Sequence, residues 1–112
     1  MSTMLQHKKC KPCEGGVKPL TPDEYGAYLR NEIVDWQDVD EKMIEKDFTF
    51  KNFKQALAFV NKVGAIAEEE GHHPDIFLHD WKKVKIMLST HAIGGLSEND
   101  FILAAKINTL LS

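Results

Sequence analysis

The chain has 112 residues and a formal net charge of −3, and 43% of its residues are hydrophobic and 28% charged. These values fit one globular domain with a single core, and they exclude an intrinsically disordered chain. Lys and Arg are scattered rather than clustered, which argues against a nucleic-acid-binding surface. No apolar run approaches the ~20 residues of a membrane span. Met1 to Gln6 lack a charged start followed by an apolar stretch, so we expect no signal peptide and a cytoplasmic location.

Residues 1–20 are polar and rich in turn-forming residues, which predicts an N-terminal arm followed by a single domain over residues 21–112. The arm holds the two cysteines of the chain, Cys10 and Cys13, in a C-x₂-C spacing. A zinc ribbon needs a second such pair, and a redox motif is expected at the start of a helix. We interpret the pair as two reduced thiols. An intermolecular or half-supplied metal site is the alternative.

The first half of the domain predicts a helix and then a β-hairpin. Thr21 and Glu24 form a capping box, with Pro22 at the first helical position. Residues 36–39 and 43–50 are rich in β-forming side chains and are separated by an acidic turn. We therefore expect these two strands to pair with each other.

Residues 52–70 carry the strongest helical pattern. Apolar residues recur in it at helical spacing and predict one buried face, which consists of Phe53, Ala56, Leu57, Val60, Gly64 and Ala67. Phe59, Val63 and Ile66 widen this face. Asn52 can cap this helix, and Gly71 and Pro74 end it. The acidic run over residues 68–70 opposes the helix dipole, so at least one of these glutamates is expected to serve another purpose.

The second half predicts two more strands and a final helix. Residues 76–78 are extended, and residues 81–89 alternate between apolar and polar side chains, with Val84 and Ile86 on the core face. Trp81 is interpreted as a core aromatic. The last helix begins after Ser97, and its apolar side is predicted to contain Phe101, Ala104, Ala105, Asn108 and Leu111. The predicted fold is α+β, ordered α-β-β-α-β-β-α, with three helices on one face of a four-stranded antiparallel sheet.

Titratable side chains concentrate between the long helix and the last one. Glu68 and His72 are four residues apart, which predicts that they share a helix face and that the carboxylate orients the imidazole and favours its protonated form. Such a histidine suits general acid catalysis near neutral pH. The alternative is a solvated pair that only stabilises the helix end. His73 precedes Pro74 and is expected to point elsewhere, or to be a histidine that interacts with the helix dipole.

His91 follows the alternating strand, beside Ser89 and Thr90. Strand ends that face a loop are frequent places for catalytic groups, although Ser and Thr also occur there as ordinary turn residues. Asp100 is explained almost as well by a capping box with Ser97 as by a role in the site.

Zinc is an alternative use of these residues. His72, His73, His91 and Asp100 would supply enough ligands, but adjacent histidines chelate one ion awkwardly. We therefore expect no metal. His7 and His79 have no partner pattern and are interpreted as surface residues.

The spacing of Glu68, His72-His73-Pro74, Trp81, His91 and Asp100 resembles that of the pterin-4a-carbinolamine dehydratases. The resemblance extends upstream to about residue 36. It implies the dehydration of 4a-hydroxytetrahydropterin to quinonoid dihydropterin, which recycles the cofactor spent by aromatic amino acid hydroxylases. It also implies no metal or organic cofactor, and a homodimer or homotetramer. Some members of the family act as dimerisation partners or regulators, so a binding module with incidental catalysis is the alternative function.

The same resemblance implies roles for individual residues. His72 and His91 are the expected acid/base pair, and His73 is the catalytic histidine that binds and polarises the pterin. Glu68 and Asp100 are expected to orient and charge the histidines. The pterin ring site is expected to be lined by Gly71, His72, His73, Ser89, Thr90, His91 and Ala92.

Overall fold

The computed structural model describes residues 5–11 and 18–111. Three helices and four strands follow the predicted order and confirm the α+β class: α1 (Pro22–Asn31), β1 (Gln37–Val39), β2 (Met43–Thr49), α2 (Phe53–Glu70), β3 (Asp75–His79), β4 (Lys83–Leu88) and α3 (Glu98–Asn108). Short 3₁₀ turns add Leu5–His7, His91–Ile93 and Thr109–Leu111. In the described part of the chain, no helix combines the length and the apolar character needed to span a membrane.

The four strands form one antiparallel sheet in the order β1-β2-β4-β3. The predicted hairpin of β1 and β2 is present, and β3 and β4 form a second hairpin. The two hairpins meet at the central pair β2–β4, where Ile44 lies opposite Leu88 and Thr49 opposite Lys83. β1 and β3 are therefore the edges of the sheet.

The predicted caps hold the ends of the helices. The backbone N–H of Thr21 donates to Glu24 Oε1 at 2.8 Å, as a capping box requires. The side chain of Asn52 accepts from the N–H of Gln55 at 2.8 Å at the start of α2. Gly71 ends the same helix in the left-handed region, with φ 69°, where glycine carries no steric penalty.

The core lies between the sheet and the helices. Val84, Ile86 and Leu88 of β4 are fully buried, as the alternating pattern predicted. The predicted face of α2 was partly wrong, because Phe53 and Leu57 are 49% and 42% exposed. The helix carries apolar residues on more than one stripe, and the stripe that packs against the sheet consists of Ala56, Phe59, Val63 and Ala67.

Helix α3 is buried on nearly all sides, a wider burial than the predicted single face. Its buried residues are Asn99, Asp100, Phe101, Ile102, Leu103, Ala104, Ala105 and Ile107. Leu111 was expected on the apolar side of this helix but lies in the closing 3₁₀ turn and is 52% exposed. The helix ends at Asn108, whose side chain accepts a hydrogen bond from the indole of Trp36 at 3.0 Å.

Trp81 is a surface residue, so its interpretation as a core aromatic was wrong. Its side chain is 62% exposed. Asp80 and Trp81 both have positive φ, 49° and 53°, in the tight turn between β3 and β4. The turn ends the regular strand before Lys83, which points the indole away from the core and explains why β4 starts later than predicted.

The arm is packed more closely than its polar sequence indicated. Leu5 is only 1% exposed and belongs to the hydrophobic core. Cys10 is partly buried against that core and is a free thiol. Cys13 lies outside the described residues, so the interpretation of the C-x₂-C pair stays a prediction.

Candidate active site

The left-handed turn at Gly71 places the first histidine of the site. The N–H of Gly71 donates to Ala67 O at 2.9 Å and closes α2, so His72 lies beyond the helix. Pro74 then leads into β3, where Asp75 pairs with Met87 of β4. Because β3 and β4 are antiparallel, the residues before Asp75 lie beside the residues that follow β4. This register brings the histidine pair and the loop of His91 to the same end of the sheet.

Asp100 contacts three segments at this end of the sheet through its buried carboxylate. Its Oδ1 lies 2.6 Å from His72 Nε2, and the two side chains are 0% and 11% exposed. Its Oδ2 accepts from the Thr90 hydroxyl at 2.7 Å and from the backbone N–H of Ser97 at 2.9 Å. One buried carboxylate therefore caps α3, fixes the end of β4 and holds His72. The predicted capping box with Ser97 is confirmed, and a role of Asp100 in the site stays a prediction.

Glu68 is bound to a different histidine from the one that the sequence predicted. Its Oε2 lies 2.5 Å from His73 Nε2, five residues along the chain, and both side chains are well exposed. The i, i+4 geometry requires a helix that continues through His72, whereas α2 ends at Glu70. The predicted Glu68–His72 pair was therefore wrong, and His72 and His73 contact different carboxylates.

His91 lines a cavity of about 290 Å³ at the end of β4. The cavity is lined by Lys42, Ser89, Thr90, His91, Gly94 and Gly95. The imidazole is exposed and belongs to a 3₁₀ turn, in which Gly94 adopts φ 67°. The cavity gives a small polar ligand access to His91 from solvent.

Lys42 is a cavity residue that the sequence did not reveal. It lies in the turn between β1 and β2, almost 50 positions before His91 along the chain. The pairing of β2 with β4 brings it to this end of the sheet, because Ile44 lies opposite Leu88. The sequence predicted the turn that contains Lys42. It did not predict that β2 pairs with β4, and that pairing is what brings this turn to the cavity.

The remaining histidines and the expected ring-site residues differ in exposure and in contacts. His79, expected on the surface without a partner, stacks on Phe77 with ring centroids 4.6 Å apart and lies 3.2 Å from Asp80 Oδ2. His7 is exposed. Gly71 and Ala92 are exposed, Ser89 is half-buried and Thr90 is buried. Over residues 5–11 and 18–111, no three His, Cys, Asp or Glu side chains are grouped so that they could hold a metal ion.

Comparisons with known proteins assign the family. The family model of Pterin 4 alpha carbinolamine dehydratase matches residues 18–110. A protein from Alkaliphilus metalliredigens (strain QYMF), named "Putative pterin-4-alpha-carbinolamine dehydratase", is 49% identical over 104 residues, which is 93% of each chain. A protein of the same name from Nitrosomonas europaea is 50% identical over 107 residues, covering 95% of this chain and 92% of its own.

Two solved structures share the fold. The transcriptional coactivator/pterin dehydratase from Brucella melitensis has a TM-score of 0.77 and 33% identity, and the match covers 85% of this chain and 100% of that one. A pterin dehydratase-like protein described as a RuBisCO assembly factor in the alpha-carboxysome has a TM-score of 0.58 and 28% identity, covering 68% and 88%. The α+β domain with one four-stranded antiparallel sheet is the fold that this chain shares with these relatives. The chain belongs to the pterin-4a-carbinolamine dehydratase family.

Proposed function

We propose that this protein dehydrates 4a-hydroxytetrahydropterin to quinonoid dihydropterin and water. In this elimination the bond between C4a and the hydroxyl oxygen breaks, and the oxygen takes a proton and leaves as water. N5 loses its proton, and its electron pair forms the new double bond to C4a. The reaction needs one acid and one base, and imidazoles supply both near neutral pH.

His72 and His91 are the proposed acid/base pair, and His73 is the proposed histidine that binds and polarises the pterin. The nearly buried His72 has a fixed ring orientation, because Asp100 holds its Nε2. His91 and His73 are exposed and can meet a ligand from solvent. Gly71, Ser89, Thr90 and Ala92 are proposed to line the ring site. No metal or organic cofactor is part of this proposal.

The observation that carries the proposal is the bridge through Asp100. This carboxylate binds His72 through one oxygen and Thr90, the neighbour of His91, through the other. It thereby links the segment of His72 to the end of β4, just before His91, which lies about 20 residues after His72 in the sequence. This link supports the assignment of both histidines to one site. A buried carboxylate that orients an imidazole is the usual way to fix both its tautomer and its charge.

Turnover of synthetic 4a-hydroxytetrahydropterin, followed by stopped-flow absorbance against its spontaneous dehydration, tests the proposal. We expect His72→Ala and His91→Ala each to lower kcat by about 10²-fold while the fold is retained. Lys54→Ala is the control, since Lys54 is exposed at the opposite end of α2 from His72. Wild-type protein that does not accelerate the dehydration would refute the activity. Unchanged turnover in both variants would refute the assignment of the histidines.

The physiological setting is also proposed. This dehydration is a step in the recycling of the pterin cofactor that aromatic amino acid hydroxylases use. We therefore propose a functional link to such a hydroxylase in the cytoplasm. We further propose a homodimer or homotetramer. The edge strand β3 and the side chain of Phe77 on it, which is 53% exposed, support self-association.

A regulatory binding module is the second candidate function. The exposed apolar side chains of Phe53 and Leu57 on α2 favour it. The two structural relatives also favour it, because one is described as a transcriptional coactivator and the other as an assembly factor. Cross-linking to a protein partner that persists in a variant lacking all three site histidines would support this candidate. If Phe53→Ser loses the protein partner but keeps the turnover of 4a-hydroxytetrahydropterin, the protein has both functions.

A further inference from the structure

We propose that the N-terminal segment over residues 5–11 is a positioning element of the histidine site, acting through Glu70 and Asn99. This inference rests on the proposed function, because it adds positioning residues to the same site. Glu70 ends α2 two residues before His72, and Asn99 lies one residue before Asp100. The segment bridges these two points through hydrogen bonds of Cys10 and Lys11.

Glu70 is the first end of the bridge. Its side chain is only 5% exposed, although a carboxylate at a helix C-terminus meets the unfavourable end of the helix dipole. The backbone N–H of Cys10 donates to its Oε1 at 2.8 Å, and Lys106 Nζ lies 3.7 Å from its Oε2. The segment thus supplies a hydrogen bond that a nearly buried carboxylate needs. This contact gives one of the three consecutive glutamates the purpose that the sequence indicated.

Asn99 is the second end of the bridge. Its Oδ1 accepts from the backbone N–H of Lys11 at 2.9 Å, and its Nδ2 donates to Lys11 O at 2.6 Å. The amide side chain therefore binds the donor and the acceptor of one arm residue at the same time. The thiol of Cys10 adds a longer contact of 3.6 Å to Asn99 O. Such paired hydrogen bonds fix orientation as well as distance.

The segment is anchored at its other end, so it can hold the bridge in place. Leu5 is buried in the core, and its N–H donates to Glu32 Oε1 at 2.8 Å. Lys106 Nζ donates to Gln6 O at 3.0 Å, so the same lysine binds both the arm and Glu70. Lys8 Nζ lies 2.9 Å from Glu98 Oε2, and this hydrogen bond lowers the pKa of the Glu98 carboxyl.

The bridge acts on the distance between His72 and Asp100. That pair is 2.6 Å apart and joins the chain just after α2 to the first turn of α3. Glu70, Cys10, Lys11 and Asn99 form a second connection between the same two helices, close to the first. Loss of this connection frees the end of α2 to shift against α3, and a displacement of about 1 Å at a catalytic group can cost ~10²-fold in rate.

The test compares substitutions at the two ends of the bridge with matched controls. Glu70→Ala removes the acceptor for Cys10, whereas Glu70→Gln keeps an oxygen there. Asn99→Ala removes both bonds to Lys11. Glu69→Ala is the control, since Glu69 is the exposed neighbour of Glu70. Each variant is examined by ring ¹⁵N spectra of His72, by kcat and KM for 4a-hydroxytetrahydropterin, and by chemical unfolding.

We expect the ring ¹⁵N resonances of His72 to move in Glu70→Ala and Asn99→Ala, and kcat to fall by about tenfold with KM changed far less. Glu70→Gln should recover most of both effects, and Glu69→Ala should match wild type. Folded Glu70→Ala and Asn99→Ala variants with unchanged His72 spectra would overturn the inference. The spectra decide this even if the wild-type protein has no dehydratase activity, so failure of the proposed function is seen separately.

Discussion

Asp100 binds His72 from a fully buried position, with 2.6 Å between its Oδ1 and the imidazole Nε2. The same carboxylate accepts the Ser97 N–H at the start of α3. A cap that stabilises a helix and a group that orients a histidine are therefore one side chain. Substitutions can separate the two roles, because the cap needs only an oxygen whereas the histidine interaction depends on the negative charge.

Asp100→Asn should lower kcat by about tenfold or more while the protein stays folded, because an amide oxygen can still accept from Ser97 and Thr90. Asp100→Ala removes those acceptors as well and leaves the buried Thr90 hydroxyl with fewer partners. We expect its free energy of unfolding to fall by about 3 kcal/mol. Chemical denaturation and steady-state turnover measure the two effects. Equal loss of stability in both variants would contradict the separation.

The thiol of Cys10 should be unreactive at pH 8. Burial, together with the negative charge of Glu70, raises its pKa to about 12, and only the thiolate is nucleophilic. In a Cys13→Ser background, iodoacetamide should modify Cys10 far more slowly in the folded protein than in urea. Equal rates in both states would show that the thiol is accessible.

The same thiol contributes to the pH dependence of stability. The unfolded chain loses the thiol proton near pH ~8.5, whereas the folded chain keeps it until about pH 12. The unfolded state therefore binds fewer protons between these values, and the free energy of unfolding falls as pH rises through this window. In the same background, Cys10→Ala should make unfolding curves less dependent on pH between pH ~8.5 and 10. A slope that is unchanged by the substitution would contradict this contribution.

The two tryptophans should differ sharply in stability and in fluorescence. Trp36 is 3% exposed, and Trp81 is 62% exposed at a positive φ. Trp36→Ala should lower the free energy of unfolding by about 3–5 kcal/mol. Trp81→Gly should change it by less than about 1 kcal/mol, since relief of the left-handed backbone offsets the added freedom of glycine. Iodide should quench Trp81 but not Trp36, as each single-tryptophan variant will show.

Lys42 should affect substrate binding more than the chemical step. It lines the cavity of about 290 Å³ together with His91, and it has no place in the proton transfers proposed above. We expect Lys42→Ala to raise KM by about threefold with kcat nearly unchanged. Lys54→Ala, at the exposed start of α2, serves as the control. A fall in kcat with constant KM would instead place the ammonium in the reaction.

Local signals in the sequence predicted the helices, the caps and the alternation of β4, because these features depend on neighbours within a few residues. The pairing of carboxylates with histidines was different. Glu68 was assigned to His72 on the assumption that the helix continued, and the left-handed turn at Gly71 ends that continuity. The partner of His72 is Asp100, 28 residues away, and only the packing of α3 against α2 can reveal this pairing.

Surface and core tryptophans could not be distinguished either, since burial of Trp81 depends on the conformation of its turn rather than on its chemistry. The close packing of the N-terminal arm on the domain was not predicted for a related reason. Its sequence is polar, and its attachment to Glu70 and Asn99 is made by backbone groups of Cys10 and Lys11. Every residue other than proline has the same backbone donor and acceptor, so the sequence gives almost no indication of which main-chain groups will bind a side chain.

The central pair of strands has a kinetic consequence. Ile44 lies opposite Leu88, so β2 and β4 meet only after the chain has closed a loop that contains α2 and β3. Each hairpin can form on its own, whereas closure of the long loop is slow and entropically costly. Lys42 and the loop of His91 come together only through that pairing. The cavity is therefore expected to be among the last parts of the molecule to assemble, after both hairpins have formed.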